Sequence, residues 1–309
     1  MYGSHVIDYV ESLKSRIGNP SLIVCLDSGC ANYSQLWLTS SLRGMLAGTL
    51  NVKILTEGVH SGMASGTVPS SFRIIRQLLD RIEDSKTGKL ADFFYVDIPV
   101  EHHEYASKVA DTVGTEYASK FPFIKGAQPV TSNVTDQILN CTWRPTLSYT
   151  GADGFPSTAT AGNVLRPETT MTLAFRLPPS LKGDTIVPKI KDLLESNPPY
   201  GAHVEFKLLK CANGWQAPKL EAWLHASLEK ASTTYWNQSY RVQGEGGSIP
   251  FMGMLGELFP SSQFVVTGLL GPNSNAHGPN EFMHVEFYHN LVPSVALLLA
   301  DHYIAKVSK

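Results

Sequence analysis

The sequence predicts an α/β protein in which a small ferredoxin-like α+β domain is inserted into a larger α/β domain. A short, continuously apolar run at residues 21–26 (SLIVCL) is typical of a strand covered on both faces, as in a parallel or mixed sheet. Further along the chain, strands and helices follow in β-α-β-β-α-β order, which is the ferredoxin-like pattern. We therefore expect an outer domain from residues 1–41 and 213–309 and an inserted domain at 42–212.

The elements of the inserted domain are predicted from side-chain periodicity. After a long strand and a glycine-rich turn, apolar residues recur with i, i+3, i+4, i+7 spacing, which indicates a helix capped by Ser70 or Ser71. The apolar residues of this helix are Ile75, Leu78, Leu79 and Ile82. Strands are then expected at 146–150, 170–177 and 203–210, with a helix at 186–196 that ends before Pro198.

The outer domain resumes with predicted helices at 220–231 and from Pro250, a strand at 263–267 and a terminal helix. No apolar run approaches the roughly 20 residues that span a bilayer. Lys and Arg number 25 against 27 Asp and Glu, so neither nucleic acid nor an anionic membrane is expected as the main partner. Four cysteines are too few and too scattered for a disulfide framework, which favours a cytoplasmic protein.

Two polar residues follow predicted buried strands. Asp27 comes directly after the first strand, where open α/β sheets place their ligands, and its carboxylate could bind zinc or manganese. Capping of the following turn is an equally good interpretation of Asp27. His277 lies in a Gly- and Pro-rich loop after the strand at 263–267. A lone loop histidine is more often simply solvated, but the parallel with Asp27 favours a metal ligand.

Other polar positions are candidates for substrate binding or catalysis. Ser248 lies in the loop Glu245-Gly-Gly-Ser248, which runs into a helix whose first-turn amides could bind a carboxylate. His60 is surrounded by glycines, which implies a tight backbone geometry. Asn163 lies in a loop, and Arg176 ends an apolar strand as either a surface charge or a carboxylate clamp.

The cluster Glu101-His102-His103-Glu104 has the composition of a metal site. Adjacent histidines point to different sides of a helix or strand, so they do not easily converge on one ion. We therefore interpret the cluster as a solvated face.

Seven short motifs resemble, in order and spacing, the carnosinase, cytosolic nonspecific dipeptidase and aminoacylase family of di-metal peptidases. They are CLDSG, LTEGVHSGMASG, SFRIIRQLLDRIED, GNVLRP, AFRLPP, GEGGSIP and SNAHGPNE. The resemblance implies a three-layer α/β/α peptidase domain, here incomplete at its N-terminus, that holds two divalent metal ions (Zn or Mn). It also implies that the inserted domain is a lid that forms a homodimer.

The resemblance also implies a role for each candidate residue. Asp27 and His277 correspond to the terminal ligands of the two metals. His60 corresponds to the lid histidine that reaches the neighbouring active site across the dimer and polarises the scissile carbonyl. The expected substrate-binding residues are Asn163, Arg176 and Ser248, with Arg176 on the terminal carboxylate. Met63 stands where an acidic residue often follows, which leaves the assignment of His60 intact.

Two family motifs are absent from the 309 residues: His-x-Asp, which supplies the bridging ligand, and Glu-Glu, which supplies the general base and a ligand. The expected function is a metal-dependent hydrolase that cleaves dipeptides or N-acyl amino acids by metal-activated water. We expect this chain to be inactive alone, unless a missing N-terminal segment is contributed by another chain. The alternative is a non-catalytic dimerisation or ligand-binding module derived from such a peptidase.

Overall fold

The structure is a computed structural model that describes residues 3–307. Short 3₁₀ turns lie at Asp92–Phe94 and Pro199–Gly201. In chain order the other elements are α1 (Gly3–Ser12), α2 (Lys14–Ile17), β1 (Leu22–Cys25), β2 (Trp37–Leu42), β3 (Gly44–Lys53), β4 (Val59–His60), α3 (Ser61–Ala64), α4 (Ser71–Leu79), α5 (Val100–Val113), α6 (Glu116–Ser119), α7 (Val134–Thr142), β5 (Thr146–Asp153), β6 (Val164–Leu165), β7 (Glu168–Leu177), α8 (Gly183–Glu195), β8 (His203–Ala212), β9 (Trp215–Gln216), α9 (Ala222–Trp236), β10 (Arg241–Glu245), α10 (Pro250–Leu258), β11 (Gln263–Val266) and α11 (Val285–Val307).

The chain forms two compact units. Unit 1 comprises Met1–Leu42, Asp97–Trp143 and Trp215–Lys309, and unit 2 comprises Arg43–Val96 and Arg144–Gly214. The outer limits of unit 2 lie close to the predicted insertion at 42–212. Residues 97–143, which the sequence analysis assigns to the insertion, pack instead with unit 1.

Unit 2 is built on a four-stranded antiparallel sheet in the order β5-β7-β3-β8. In the order of the β-α-β-β-α-β pattern these are the second, third, first and fourth strands, which is the ferredoxin-like arrangement. The predicted fold class, with its ferredoxin-like α+β domain, is therefore confirmed for this unit.

One face of this sheet is covered by α4 and α8. Buried and partly buried residues alternate along β3, as expected for a strand with one covered face. The core joins strand residues such as Leu50 and Phe175 to Ile75 of α4 and Ile190 of α8, all fully buried. The Ser70 hydroxyl accepts a hydrogen bond from the Arg73 amide, so Ser70 caps α4 as predicted.

Unit 1 contains a parallel pair, β1 and β11, in which Cys25 lies opposite Val266. A second sheet has the order β10-β2-β9, with β10 parallel to β2. Cys25 is buried with Phe264 and Trp215 in the core of this unit. Cys25 and Cys30 are each 7% exposed, so both are core residues.

Residues 97–143 belong to unit 1 because α5 packs against α7 and β10. His102 lies on the buried face of α5 with Ala106 and Val109. Its ring is 4.4 Å from that of Trp143, and burial lowers its pKa to about 4. The prediction that Glu101-His102-His103-Glu104 is a solvated face is therefore wrong at His102, because the i, i+4, i+7 spacing turns this histidine into the core.

Within residues 3–307, the structure contains no helix with the length and apolar character needed to cross a membrane.

Candidate functional site

Asp27 and His277 follow the two strands of the parallel pair in unit 1. Beyond the last paired residues, the Ser28 amide donates to the Thr267 carbonyl at 3.1 Å and the Cys30 amide donates to the Leu270 carbonyl at 2.8 Å. Asp27 therefore lies in a turn that is paired with the segment leading to His277. Both side chains are exposed.

Two glycines allow the segments after β1 and β11 to come this close. A Cβ atom at Gly268 would collide with the Ser28 carbonyl, and one at Gly29 would collide with the Leu270 carbonyl. Glycine at these positions is explained by the close approach of the two backbones rather than by a left-handed conformation.

The loop that carries His277 has an unusual backbone. His277 itself has a φ of 61°, and Asn273, Asn275 and Asn280 also have positive φ angles. Local hydrogen bonds support the turn: the Asn275 side-chain amide donates to the Pro279 carbonyl at 2.6 Å, and the His277 amide donates to the Glu281 carboxylate at 3.2 Å. Such backbone strain in non-glycine residues concentrates at functional sites.

Tyr33 anchors the beginning and the end of this loop. Its hydroxyl donates to the Pro272 carbonyl at 3.0 Å, and its ring stacks on His284 with 4.1 Å between centroids. The ring also occupies the space that a Cβ atom at Gly271 would need. The motifs did not identify Tyr33, because its partners lie about 240 residues away along the chain.

Glu245 is a further acidic group that the sequence analysis did not assign to the site, and it lies beside Gly29, two residues after Asp27. Gln243 donates from its side-chain amide to the Glu245 carboxylate at 2.8 Å and to the Gly29 carbonyl at 3.1 Å. Burial raises the pKa of Glu245 to about 6, against the opposing effects of the Lys120 charge and the hydrogen bond from Gln243. The sequence could have indicated Glu245 by its position at the end of a strand, which is also the reason for selecting Asp27.

Ser248 is half-buried and precedes the first residue of α10, Pro250, by two positions. It thus lies in unit 1, in the connection between β10 and α10. Carboxylate binding by the first turn of α10 stays a prediction.

In unit 2 the structure brings His60 and Asn163 together. The short strands β4 and β6 pair with His60 opposite Val164, and the Ser61 amide donates to the Asn163 carbonyl at 2.9 Å. His60 and Asn163 are both exposed. The Nδ1 atom of His60 accepts a hydrogen bond from the Gly62 amide at 3.1 Å. In the neutral ring the proton is therefore on Nε2, which makes that atom a hydrogen-bond donor.

Arg176 lies at the other end of the unit 2 sheet. It is in β7, opposite Met45 of β3 and Thr146 of β5. Because Phe175 and Leu177 point into the core, Arg176 points to the opposite face of the sheet. The strand β7 starts at Glu168, close to the His60 region. Arg176 is eight residues further along this strand, a distance of roughly 26 Å. The structure does not bring Arg176 and His60 together within one chain.

In the part of the chain that the structure describes, no group of three or more His, Cys, Asp or Glu side chains is placed to hold a metal ion. Asp27 and His277 can each offer one ligand of a type that zinc accepts. These residues by themselves do not fit a complete catalytic metal centre.

A family model described as the peptidase dimerisation domain of the M20 type matches residues 40–202, which is more than half of the 309 residues. The chain therefore belongs to the M20 peptidase family. This confirms the resemblance to di-metal dipeptidases that the seven motifs indicated.

Individual relatives agree with this assignment. A cysteinylglycine-S-conjugate dipeptidase from Corynebacterium striatum is 24% identical over 257 residues, which cover 80% of this chain and 54% of that protein. The structure resembles that of human carnosine dipeptidase 1 (TM-score 0.72, 19% identity, 97% of this chain and 64% of that one). It also resembles an M20 family metallo-carboxypeptidase, Sso-CP2 from Sulfolobus solfataricus (TM-score 0.74, 16% identity, 95% and 66%). This chain thus spans about half the length of the curated relative.

Proposed function

We propose that this chain forms part of a metal-dependent hydrolase that cleaves the amide bond of dipeptides or N-acyl amino acids. The observation that carries the proposal is the pairing of the two segments that bear Asp27 and His277, at the carboxyl ends of neighbouring parallel strands. Ligands of open α/β sheets bind at that edge. Membership of the M20 family and the dipeptidase relative from C. striatum support the same function.

The donors present account for only part of a metal centre. A catalytic zinc usually has three protein ligands and an open position, whereas Asp27 and His277 offer one each. We propose that the remaining ligands and the general base come from a segment with the motifs His-x-Asp and Glu-Glu. When bound, zinc or manganese ions would supply an activated water for attack on the amide carbon.

An exposed apolar surface on α11 supports the existence of such a segment. The residues of this stripe recur on one helix face and are each at least 40% exposed: Val285, Tyr288, Val292, Leu299 and Tyr303. The opposite face, with Phe287 and Leu298, is buried.

In the same unit, β1 pairs with β11 alone among the described strands, so its other edge is open. Such surfaces are typical of sites where protein packs on protein. We propose that the completing segment packs here, whether it is part of the same polypeptide or another chain.

The separation of His60 from Arg176 supports a homodimer formed through unit 2. A dipeptide is only about 7 Å long, whereas Arg176 lies at the end of the four-stranded sheet opposite to the end near the His60 region. They can act on the same dipeptide only if they come from different protomers. The match of residues 40–202 to a peptidase dimerisation domain supports this arrangement.

Within such a dimer each candidate residue has a defined task. His60 of one protomer would donate from Nε2 to the scissile carbonyl oxygen of a substrate bound by the other, which stabilises the charge that develops there. Arg176 would bind the terminal carboxylate, and Asn163 and Ser248 would bind other polar atoms of the substrate. The four cysteines are free, which supports a cytoplasmic location.

A non-catalytic dimerisation or ligand-binding module is the second candidate. It is favoured by one observation, the lack of a three-residue metal cluster among the described side chains. The retention of Asp27, His60 and His277 favours the hydrolase, because a binding module has no need of all three.

Measurement of metal content and dipeptide hydrolysis would decide between these candidates. The purified chain is assayed with zinc or manganese, alone and together with a fragment that carries the motifs His-x-Asp and Glu-Glu. We expect stoichiometric metal and turnover only in the mixture, and loss of both with Asp27→Asn or His277→Gln. Turnover by the chain alone would contradict the proposal that its metal centre is incomplete. A mixture that forms a complex but neither binds metal nor turns over would favour the binding module.

A further inference from the structure

His60 is held at two points in unit 2. Its backbone is fixed by the pairing with Val164 and by the hydrogen bond from the Ser61 amide to the Asn163 carbonyl. Its ring is fixed by the Gly62 amide, which donates to Nδ1 at 3.1 Å. An exposed histidine whose side chain rotates freely would lack this restraint on its ring.

The hydrogen bond from Gly62 selects one form of the imidazole. A nitrogen that accepts a hydrogen bond cannot carry the proton, so the neutral ring must be protonated on Nε2. The Gly62 amide therefore favours the tautomer that has its donor at Nε2, the atom that a carbonyl oxygen can reach.

The absence of a side chain at position 62 serves the same geometry. A Cβ atom there would lie 3.0 Å from Cε1 and 3.3 Å from Nδ1 of His60. Gly66, in the same connection, has a φ of +93°, which by itself favours glycine. Gly62 is not among the residues with positive φ, so its backbone does not require glycine. A larger residue at position 62 would instead occupy the space next to the imidazole of His60.

We infer that Gly62 is a positioning residue for His60: its amide and its missing side chain hold the imidazole as the Nε2–H tautomer in a fixed orientation. The inference rests on the proposed function for the role of that donor in hydrolysis. The tautomer and the orientation are properties of the free chain.

Nuclear magnetic resonance of the chain with ¹⁵N-labelled histidine tests the positioning directly. At pH 8, where an unperturbed imidazole is neutral, we expect His60, assigned by its loss in His60→Gln, to show a protonated Nε2 and an unprotonated, hydrogen-bonded Nδ1. In Gly62→Ala the Nδ1 signal should move towards that of a free imidazole, and Gly62→Ser, with the same Cβ atom, should behave alike. Met63→Ala is the matched control, because Met63 is 86% exposed in the same turn. A His60 signal that is unchanged in both Gly62 variants, or a wild-type ring protonated on Nδ1, would overturn the inference.

Kinetics of the completed enzyme separate this inference from the proposed function. We expect Gly62→Ala to lower kcat about tenfold with little change in KM, and to have no further effect in a His60→Gln background. If His60→Gln abolishes turnover and Gly62→Ala leaves it intact, the positioning role is wrong. If the Gly62 variants shift the Nδ1 signal but neither they nor His60→Gln change turnover, Gly62 does position the ring and the proposed role of His60 fails instead.

Discussion

Glu245 offers a measurable test of how unit 1 is built around Asp27. Glu245 is half-buried as a residue, and its carboxylate lies beside Gly29 and accepts a hydrogen bond from Gln243. Replacement by glutamine removes the charge but keeps the shape and an oxygen that can accept the same hydrogen bond. Glu245→Gln should therefore change stability mainly by removing the cost of a buried charge.

The magnitude follows from the raised pKa. Burial, opposed by the Lys120 charge and the Gln243 hydrogen bond, raises the pKa of Glu245 from an ordinary 4.5 to about 6, which corresponds to about 2 kcal/mol. Because the folded chain binds the proton more tightly, this stabilisation is fully present below pH 4.5 and is lost as the pH rises through about 6. Between pH 5 and pH 8 the free energy of unfolding of the wild type should fall by about 1.3 kcal/mol because of Glu245. Glu245→Gln has no titrating group at this position and should show no such loss.

Urea unfolding at pH 5 and pH 8, followed by tryptophan fluorescence, gives the two free energies of unfolding for each protein. We expect the stability of Glu245→Gln relative to the wild type to be higher at pH 8 than at pH 5 by about 1.3 kcal/mol. The comparison of variant with wild type cancels the pH dependence of all other groups, including that of His102.

Glu104→Gln is the matched control, because Glu104 is an exposed glutamate of α5 in the same unit. Its stability relative to the wild type should be nearly the same at both pH values. If Glu245→Gln behaves like this control, burial does not raise the pKa of Glu245 and the reasoning is refuted.

Three further predictions concern the acid sensitivity, backbone packing and assembly of the chain. Burial lowers the pKa of His102 from 6.5 to about 4, so the chain loses stability as the pH falls through this range. Between pH 7 and pH 5, the free energy of unfolding in urea should fall by about 2 kcal/mol less for His102→Gln than for the wild type. Gly268→Ala should destabilise the chain by at least roughly 1–3 kcal/mol because its Cβ atom meets the Ser28 carbonyl, whereas Gly247→Ala, with open space around it, should change the unfolding midpoint little. Sedimentation should show a dimer that Leu209→Lys weakens, since Leu209 is 56% exposed on the open strand β8; a monomeric wild type would contradict the proposed homodimer.

The ferredoxin-like unit was predictable because its signals are local. The alternation along β3 and the helical spacing of Ile75 and Leu78 each lie within one element. The long strand predicted after residue 41 corresponds to β3 (Gly44–Lys53). The preceding strand β2 (Trp37–Leu42), which belongs to unit 1, was not predicted, and the chain passes from unit 1 to unit 2 between Leu42 and Arg43. A local pattern does not reveal such a change of unit, because the two strands follow one another almost without a break.

The assignment of residues 97–143 depended on contacts that no local pattern contains. In sequence α5 lies between elements of unit 2, and only its packing on β10, more than 120 residues further on, places it in unit 1. The same contacts bury His102 and make it a core residue.

The sequence by itself determined the family, the inserted ferredoxin-like domain and the short set of polar residues that follow strands or lie among glycines. These features are encoded by neighbouring residues and by the order of the motifs. Only the tertiary structure decided that Glu245 lies beside Gly29, that His60 pairs with the Asn163 segment, and that Arg176 lies at the far end of the four-stranded sheet of unit 2. Those relations are set by strand pairing between distant parts of the chain, and the distances that they fix do not follow from spacing in the sequence.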